Sequence, residues 1–565
     1  MDRYARRIRH PLPLLLTVAW AWALALQPMS TAAQVAAPAD VSGQVDALFA
    51  RFDGDDVPGC TVGVDRNGER VLTRAYGMAN LEWDIPNTPG TIFENGSVSK
   101  QFTAAAVVLL AMDGVLSLED DVREWVPELP DYGDTITLRH LLNHTSGLRD
   151  WGSVAGIAGW GRSVRTHTHD HVLDILSRQS ALNFEPGLQY SYSNSGYNLL
   201  AIIVSRASGM PFAEFSRERI FEPLGMDDTQ WRDDWTRIVP GRSTGYSPDG
   251  DGGYRINQPI ENVHGNGGLL TTVDDLLTWN RSLDEATLAG PELVRTMETQ
   301  GVLNDGRTIA YALGLSVDDW RGIRAVTHGG ATSGYRAFLA RYPDEGLSVA
   351  LLCNAANANP GALANGVAEL YLADALGPAP ELPQAADVDP EAVARLAGWY
   401  RDVRTGEPTR IVQGDDGVLR VGQTPLVPIS RTEFHIGTSG QRAAWAAPSG
   451  SSRAGVRIVE GEVVVGRWEP TEPATPGPSE LADYVGTYHS DDAETTLTIV
   501  LEDGGLVLHR RPAARAPLRP SYPDAFLSPA GLIRFVRDDS GAVTELSLGQ
   551  SRVFDLRFQR VEEGR

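Results

Sequence analysis

Ser97 and Lys100 stand three residues apart in the segment Ser97-Val98-Ser99-Lys100. On a helix, positions i and i+3 share a face, so this hydroxyl and this amine can meet. Lys100 is the sole lysine among 49 basic side chains; the other 48 are arginine. A buried amine can lose its proton, whereas a guanidinium cannot. A serine beside an amine able to turn neutral makes an activated nucleophile. Two further segments carry polar groups suited to a site. Tyr192-Ser-Asn194 falls on a loop entering an apolar stretch, where functional groups are commonly displayed. His328-Gly329-Gly330 follows a short β-patterned run, and its glycines let a ligand backbone approach a strand edge.

Other candidates read as structure. His140, His144 and Ser146 form a corner with no carboxylate nearby to orient a base. His167, His169 and His171 alternate as metal ligands on a strand would, yet Thr168 caps what looks like a helix start, where they diverge. No metal and no cofactor is expected. Gly241-Arg-Ser243-Thr-Gly245 matches the G-x-S-x-G pattern but lacks the strand before it and the helix after it. Gly265-Asn-Gly-Gly-Leu reads as a packing turn into a helix capped near Thr272.

The positioning elements follow from periodicity. Val41 to Phe52 reads as an amphipathic helix with Val45, Leu48, Phe49 and Phe52 inward. Cys60 to Asp65 and Glu69 to Tyr76 form a hairpin around Asn67-Gly68. Val98 to Met112 is an almost wholly apolar helix, ended by Asp113-Gly114. Ser97 therefore lies at a helix N-terminus, where free N–H groups and the helix dipole can stabilise an oxyanion. A helix begins near Ser195. Ile323 to Thr327, Tyr335 to Tyr342 and Leu347 to Cys353 are strands.

At 565 residues, several domains are expected. Residues 1–33 have the basic start, apolar run and small Thr31 and Ala33 of an export signal, too short for a comfortable span. An exported protein starting at Gln34, with no stable membrane anchor, is expected. The net charge is −24. It argues against nucleic-acid partners and points weakly to neutral or cationic ligands. The two cysteines, Cys60 and Cys353, make no metal-ligand spacing.

Residues 34–376 read as the catalytic domain and 377–390 as a Pro- and acid-rich linker. Beyond it the sequence repeats itself. Gly398-Trp-Tyr400 returns as Gly486-Thr-Tyr488, and Pro425-Leu-Val-Pro428 as Pro517-Leu-Arg-Pro520. Two small β-barrels or sandwiches are expected at 391–468 and 481–565, joined by a linker at 469–480. The second copy carries extra residues around Arg510 to Ala516.

Taken in order, Ser97-x-x-Lys100, Tyr192-Ser-Asn194 and His328-Gly-Gly330 resemble the motif set of the penicillin-recognising serine hydrolases. Leu141-Leu-Asn-His-Thr-Ser-Gly-Leu148, Phe184-x-Pro-Gly and Gly267-Gly-Leu strengthen the likeness. The nearest branch is that of class C β-lactamases, DD-peptidases and D-aminopeptidase. The resemblance implies an α+β catalytic domain, an antiparallel sheet flanked by helices, followed by the two all-β domains. It implies Ser97 as acylated nucleophile, with Lys100 and Tyr192 sharing base work. Either neutral Lys100 takes the serine proton, or a Lys100 cation favours a Tyr192 phenolate that does. Asn194 would grip the acyl group, and the N–H groups of Ser97 and Ala331 would form the oxyanion hole. His328, Gly329, Gly330 and Ala331 would line the substrate. The first and last sheet strands would be neighbours, which suggests a Cys60–Cys353 disulfide.

Two positions depart from the family pattern. His328 replaces the usual lysine and Gly329 the usual Thr or Ser, which points away from penicillin and free C-terminal D-Ala. His-Gly-Gly and two terminal β-domains resemble D-aminopeptidase, with the Arg510 insertion as the loop reaching the pocket. The expected function is a secreted serine hydrolase acting on small amides or short peptides. The alternatives are a carboxylesterase, a weak β-lactamase or a non-hydrolytic penicillin-binding protein. Oligomeric state is not readable.

Overall fold

A computed structural model describes residues 41–446 and 453–561. The expected export segment lies outside the described residues. The catalytic region is built on a six-stranded antiparallel sheet. Its order is Ser316–Trp320, Ile323–Thr332, Tyr335–Tyr342, Leu347–Cys353, Cys60–Arg66 and Glu69–Tyr76. Leu347–Cys353 is buried throughout because it is central. The helices Val273–Asp284 and Pro360–Leu372 both pack against it. Gly63 sits where a Cβ would meet Leu277 at 2.7 Å, so a small residue lets the Val273–Asp284 helix come close.

The first and last catalytic strands pair with Cys60 opposite Cys353. The two cysteines form a disulfide with a Cα–Cα distance of 4.0 Å. It closes a sequence separation of 293 residues. A loop of that length loses much unfolded-chain entropy when cross-linked. The Cys60→Ser, Cys353→Ser double variant should lose about 2–4 kcal/mol of stability in denaturant titration; an unchanged midpoint would refute this.

The helix Lys100–Met112 lies against the helix Asn194–Ser208 in the main core. Ala104, Ala105 and Ala106 are fully buried, so the small side chains allow close packing. One expectation fails at the N-terminal helix: Val45, Phe49 and Phe52 are buried, but Leu48 is 37% exposed. Its side chain covers Gly366 instead of entering the core.

Eight strands from Gly398–Asp402 to Val463–Thr471 close into a barrel. Nine strands from Gly486–Ser490 to Val553–Val561 form the second β unit. The internal repeat is visible in side-chain chemistry. Tyr400 and Tyr488 are both fully buried. Each hydroxyl donates to the carbonyl four residues back, Leu396 at 2.8 Å and Tyr484 at 2.9 Å. A buried phenol needs such an acceptor, and each copy supplies it locally.

Candidate active site

Ser97 lies in a 3-10 turn, Gly96–Ser99, that runs directly into the Lys100–Met112 helix. The turn is pinned from two sides. Phe93–Glu94 pairs with Leu269–Thr271, and the Ser99 hydroxyl donates to Asn95 Oδ1 at 2.6 Å. Glu94 is wholly buried and accepts from Arg232 Nε at 2.8 Å and Nη2 at 3.1 Å. A fixed approach to Ser97 results, because a bidentate guanidinium–carboxylate pair sets orientation as well as charge.

Lys100 Nζ is fully buried and faces three oxygens: Ser97 Oγ at 3.3 Å, Asn194 Oδ1 at 3.1 Å and the Asn266 carbonyl at 2.5 Å. A neutral amine has two N–H groups and one lone pair. Its hydrogens satisfy Asn194 and Asn266, and its lone pair is left for the Ser97 proton. Burial drives its pKa well below the ordinary lysine value, and the positive charges of Arg552 and Arg162 add to this against Asp150.

A proton lost on folding ties stability to pH. The unfolded lysine titrates near 10.4 (about that of a free side chain), and the folded one lower. Between the two values the unfolded chain binds more protons, so this site's contribution to stability rises with pH. Stability of wild type relative to Lys100→Met should therefore improve as pH rises towards about 10 in paired melts; a flat difference would count against a neutral Lys100.

Tyr192 sits on the loop before Asn194–Ser208, and His144 holds that loop at two points. The Ser191 N–H donates to the His144 carbonyl at 2.9 Å, and the Ser193 N–H to His144 Nδ1 at 3.3 Å. The His144 ring packs 4.2 Å from the Tyr192 ring. Burial raises the Tyr192 pKa, outweighing the Ser97 hydroxyl and Arg552, which act to lower it. Its buried hydroxyl makes no hydrogen bond among the described residues. Asn194 is oriented from behind: its N–H donates to Asp150 Oδ2 at 2.8 Å.

His328 lies on the strand Ile323–Thr332. Its Nδ1 faces the Gly329 carbonyl at 2.7 Å and its Nε2 the Tyr311 hydroxyl at 3.0 Å. A carbonyl only accepts, so Nδ1 carries the proton and Nε2 accepts from Tyr311. Burial, reinforced by Lys100, pushes the His328 pKa down to about 3. The position thus presents a neutral polar group where the family's lysine would bring a charge.

The two glycines after it differ. A Cβ on Gly330 would lie 2.0 Å from the Asn95 carbonyl oxygen, and one on Gly96 would lie 2.7 Å from the Ala331 nitrogen. Glycine at both places lets the strand approach the Ser97 turn, bringing the Ala331 amide beside Ser97. A Cβ on Gly329 would meet only the Phe338 ring, at 3.6 Å. Gly330 alone of this pair is demanded by close approach.

Ser97, Tyr192, Asn194, His328, Gly329, Gly330 and Ala331 line one cavity of about 520 Å³, with Lys100 beneath it. The remaining sequence candidates lie elsewhere or act otherwise. Ser243 is buried with its hydroxyl on the Ile92 carbonyl at 3.1 Å. Thr168 caps the helix His169–Ser177 as expected, and His171 bonds back to it. Three groups were missed. Gly265-Asn-Gly-Gly is more than a packing turn, because its Asn266 carbonyl receives Lys100. His144 backs Tyr192 rather than forming only a corner. Arg552 lines the cavity from the last hairpin of the second β unit.

The Arg510 insertion is a correction. Arg510 donates to the Ile157 carbonyl and Arg511 to Ala158, at 3.3 and 3.2 Å, and neither lines this cavity. The expected ligand charge also differs locally. Among the described residues, Arg162, Arg336 and Arg552 line the cavity and no Asp or Glu does, opposite in sign to the whole chain.

Residues 45–373 match the family described as Beta-lactamase, and residues 470–563 match a domain of unknown function, DUF3471. The chain is 30% identical to a D-aminopeptidase of Gluconobacter oxydans (strain 621H), over 93% of this chain and 99% of that protein. It shares its fold with the octameric penicillin-binding protein homologue from Pyrococcus abyssi, at TM-score 0.54 and 24% identity, over 76% of this chain and 99% of that one. It also resembles the D-amino acid amidase from Ochrobactrum anthropi SV3, at TM-score 0.50 and 23% identity, over 59% of this chain and 98% of that one. A match across the whole catalytic region, and a relative aligned through both β units, place this chain in the beta-lactamase family as a serine hydrolase.

Proposed function

We propose that this protein is an exported hydrolase that forms an acyl-serine on small amides or short peptides, with D-configured residues among its substrates. The observation that carries the chemistry is the buried Lys100 amine, shared among Ser97, Asn194 and Asn266. The Ser97 oxygen attacks the substrate carbonyl carbon while its proton passes to neutral Lys100. Of the two base assignments, burial favours this one, since it drives Lys100 towards its neutral form and Tyr192 away from phenolate. The N–H groups of Ser97 and Ala331 hold the oxyanion. The C–N bond then breaks, and the proton reaches the leaving amine through Lys100 and Tyr192. Water attacks the acyl-enzyme from the Tyr192 side, and Ser97 leaves with its proton restored.

The D-aminopeptidase likeness supports amide and peptide substrates. Export is supported by the pattern of residues 1–33, and a disulfide suits an oxidising compartment. The test is p-nitroaniline release from D-alanyl and L-alanyl p-nitroanilides, with Ser97→Ala as control. Release that depends on Ser97 and prefers the D form is expected. No Ser97-dependent turnover of these anilides, simple esters or penicillin would overturn the hydrolytic reading in favour of a binding protein.

A further inference from the structure

We propose that Arg552, delivered by the second β unit, forms an anion subsite that selects substrates carrying a carboxylate close to the scissile bond. This rests on the acyl-serine reading and names its substrate class. Three arginines line the Ser97 cavity, and their situations differ. Arg162 is occupied, since its guanidinium holds Glu261 in a two-point pair. Arg336 Nη1 donates to the Ser333 and Tyr335 carbonyls at 3.0 and 2.6 Å. Arg552 has no carboxylate partner among the described residues and lies 4.9 Å from the Tyr192 ring centroid. Positive groups gathered in a confined site attract an anion and repel a cation.

The Arg552 backbone is held in place before any ligand arrives. Its carbonyl accepts from the Asp150 N–H at 3.2 Å and from Asn183 Nδ2 at 3.0 Å. The Phe554 N–H donates to Asn183 Oδ1 at 3.0 Å. Both anchor points belong to the catalytic region, and Asp150 is the residue that orients Asn194. A guanidinium is suited to two-point recognition of a carboxylate. A free substrate ammonium finds no carboxylate on the cavity wall among the described residues. The third motif contributes no hydroxyl at Gly329, so anion recognition shifts to the Tyr192 side of the site.

Two substrate pairs test this on the full-length protein. One pair compares D-alanyl anilide with D-alanyl 4-aminobenzoate, which places the carboxylate on the leaving group. The other compares N-acetyl- with N-succinyl-D-alanyl p-nitroanilide, which places it on the acyl side. In at least one pair, kcat/KM should favour the carboxylate member by about tenfold, the scale of one charge-assisted contact. Arg552→Gln should collapse that ratio towards one, and Arg552→Lys should keep part of it. A ratio near one in wild type for both pairs, or one unchanged by Arg552→Gln, would overturn the subsite. Absence of Ser97-dependent turnover throughout would instead overturn the hydrolytic reading. Calorimetric titration with hippurate and hippuramide then decides the subsite alone: preferential hippurate binding lost in Arg552→Gln supports it, and equal or absent binding refutes it.

Discussion

Lys100→Arg should lower kcat by about 10³-fold or more while leaving the fold intact. Arginine keeps the positive charge but cannot surrender a proton near neutral pH. If Lys100 acted as a fixed cation, arginine would serve in part. If it acts as a base, arginine cannot. Geometry sharpens the distinction. The amine is a compact point that meets three oxygens, one from its own helix turn, one from Asn194 and one from Asn266. A planar guanidinium is too large for that point and carries no lone pair towards Ser97. Burst kinetics with an activated ester would separate acylation from deacylation. Circular dichroism and melting would report the fold. Activity above about one tenth of wild type would remove the base assignment.

Asp492→Ala should cost about 3–5 kcal/mol of stability and also reduce kcat. Arg149 is 4% exposed and pairs with Asp492 across the boundary between the catalytic region and the second β unit, at 2.6 Å. Its other nitrogen donates to the Asp555 carbonyl at 2.6 Å. Removing Asp492 strands a buried guanidinium, which costs far more than an intact pair contributes. Asp492 also accepts from the Ser180 N–H and hydroxyl. The catalytic effect follows from what Arg149 adjoins. Its carbonyl accepts from the Ser195 hydroxyl at 2.7 Å, and the next residue, Asp150, orients Asn194. Denaturant titration with turnover on the same samples tests both parts. A loss under about 1 kcal/mol would show that the pair is not structurally important.

The second β unit packs into one core with the catalytic region and lines its cavity. Its hydrophobic residues join the same core cluster as the catalytic helices, including Leu497, Leu546 and Phe558. Its last hairpin supplies Arg552 to the cavity. The sequence reading placed no catalytic signature in this region, and none is local to it. Arg552 reaches the cavity only because its carbonyl is held by Asp150 and Asn183, far away in the sequence.

What could be read from the sequence was local or repetitive. Ser97 and Lys100 meet because helical geometry brings i and i+3 together. The strands Tyr335–Tyr342 and Leu347–Cys353 follow from apolar patterning and a turn between them. The repeated β units showed themselves by recurring Gly, Tyr and Pro. The family motifs carried Tyr192, Asn194 and His328 into one site, although spacing alone could not.

Other features depended on long-range packing. Asn266 contributes a backbone carbonyl, and a carbonyl has no identity in a sequence. The support that His144 gives Tyr192 needs two loops to fold against each other. The sequence suggested the insertion near Arg510 as the loop that reaches the pocket, and nothing local marked Arg552. Packing decided for Arg552, because Arg510 and Arg511 are used up on the carbonyls of residues 156–158. The sequence by itself thus picked out Ser97 and Lys100 as candidates for nucleophile and proton transfer and showed the repeated β units, by local geometry or motif. Only the tertiary structure decided the sign of the pocket and which β turn completes it, because charge in a cavity depends on which distant side chains converge there and which are already paired.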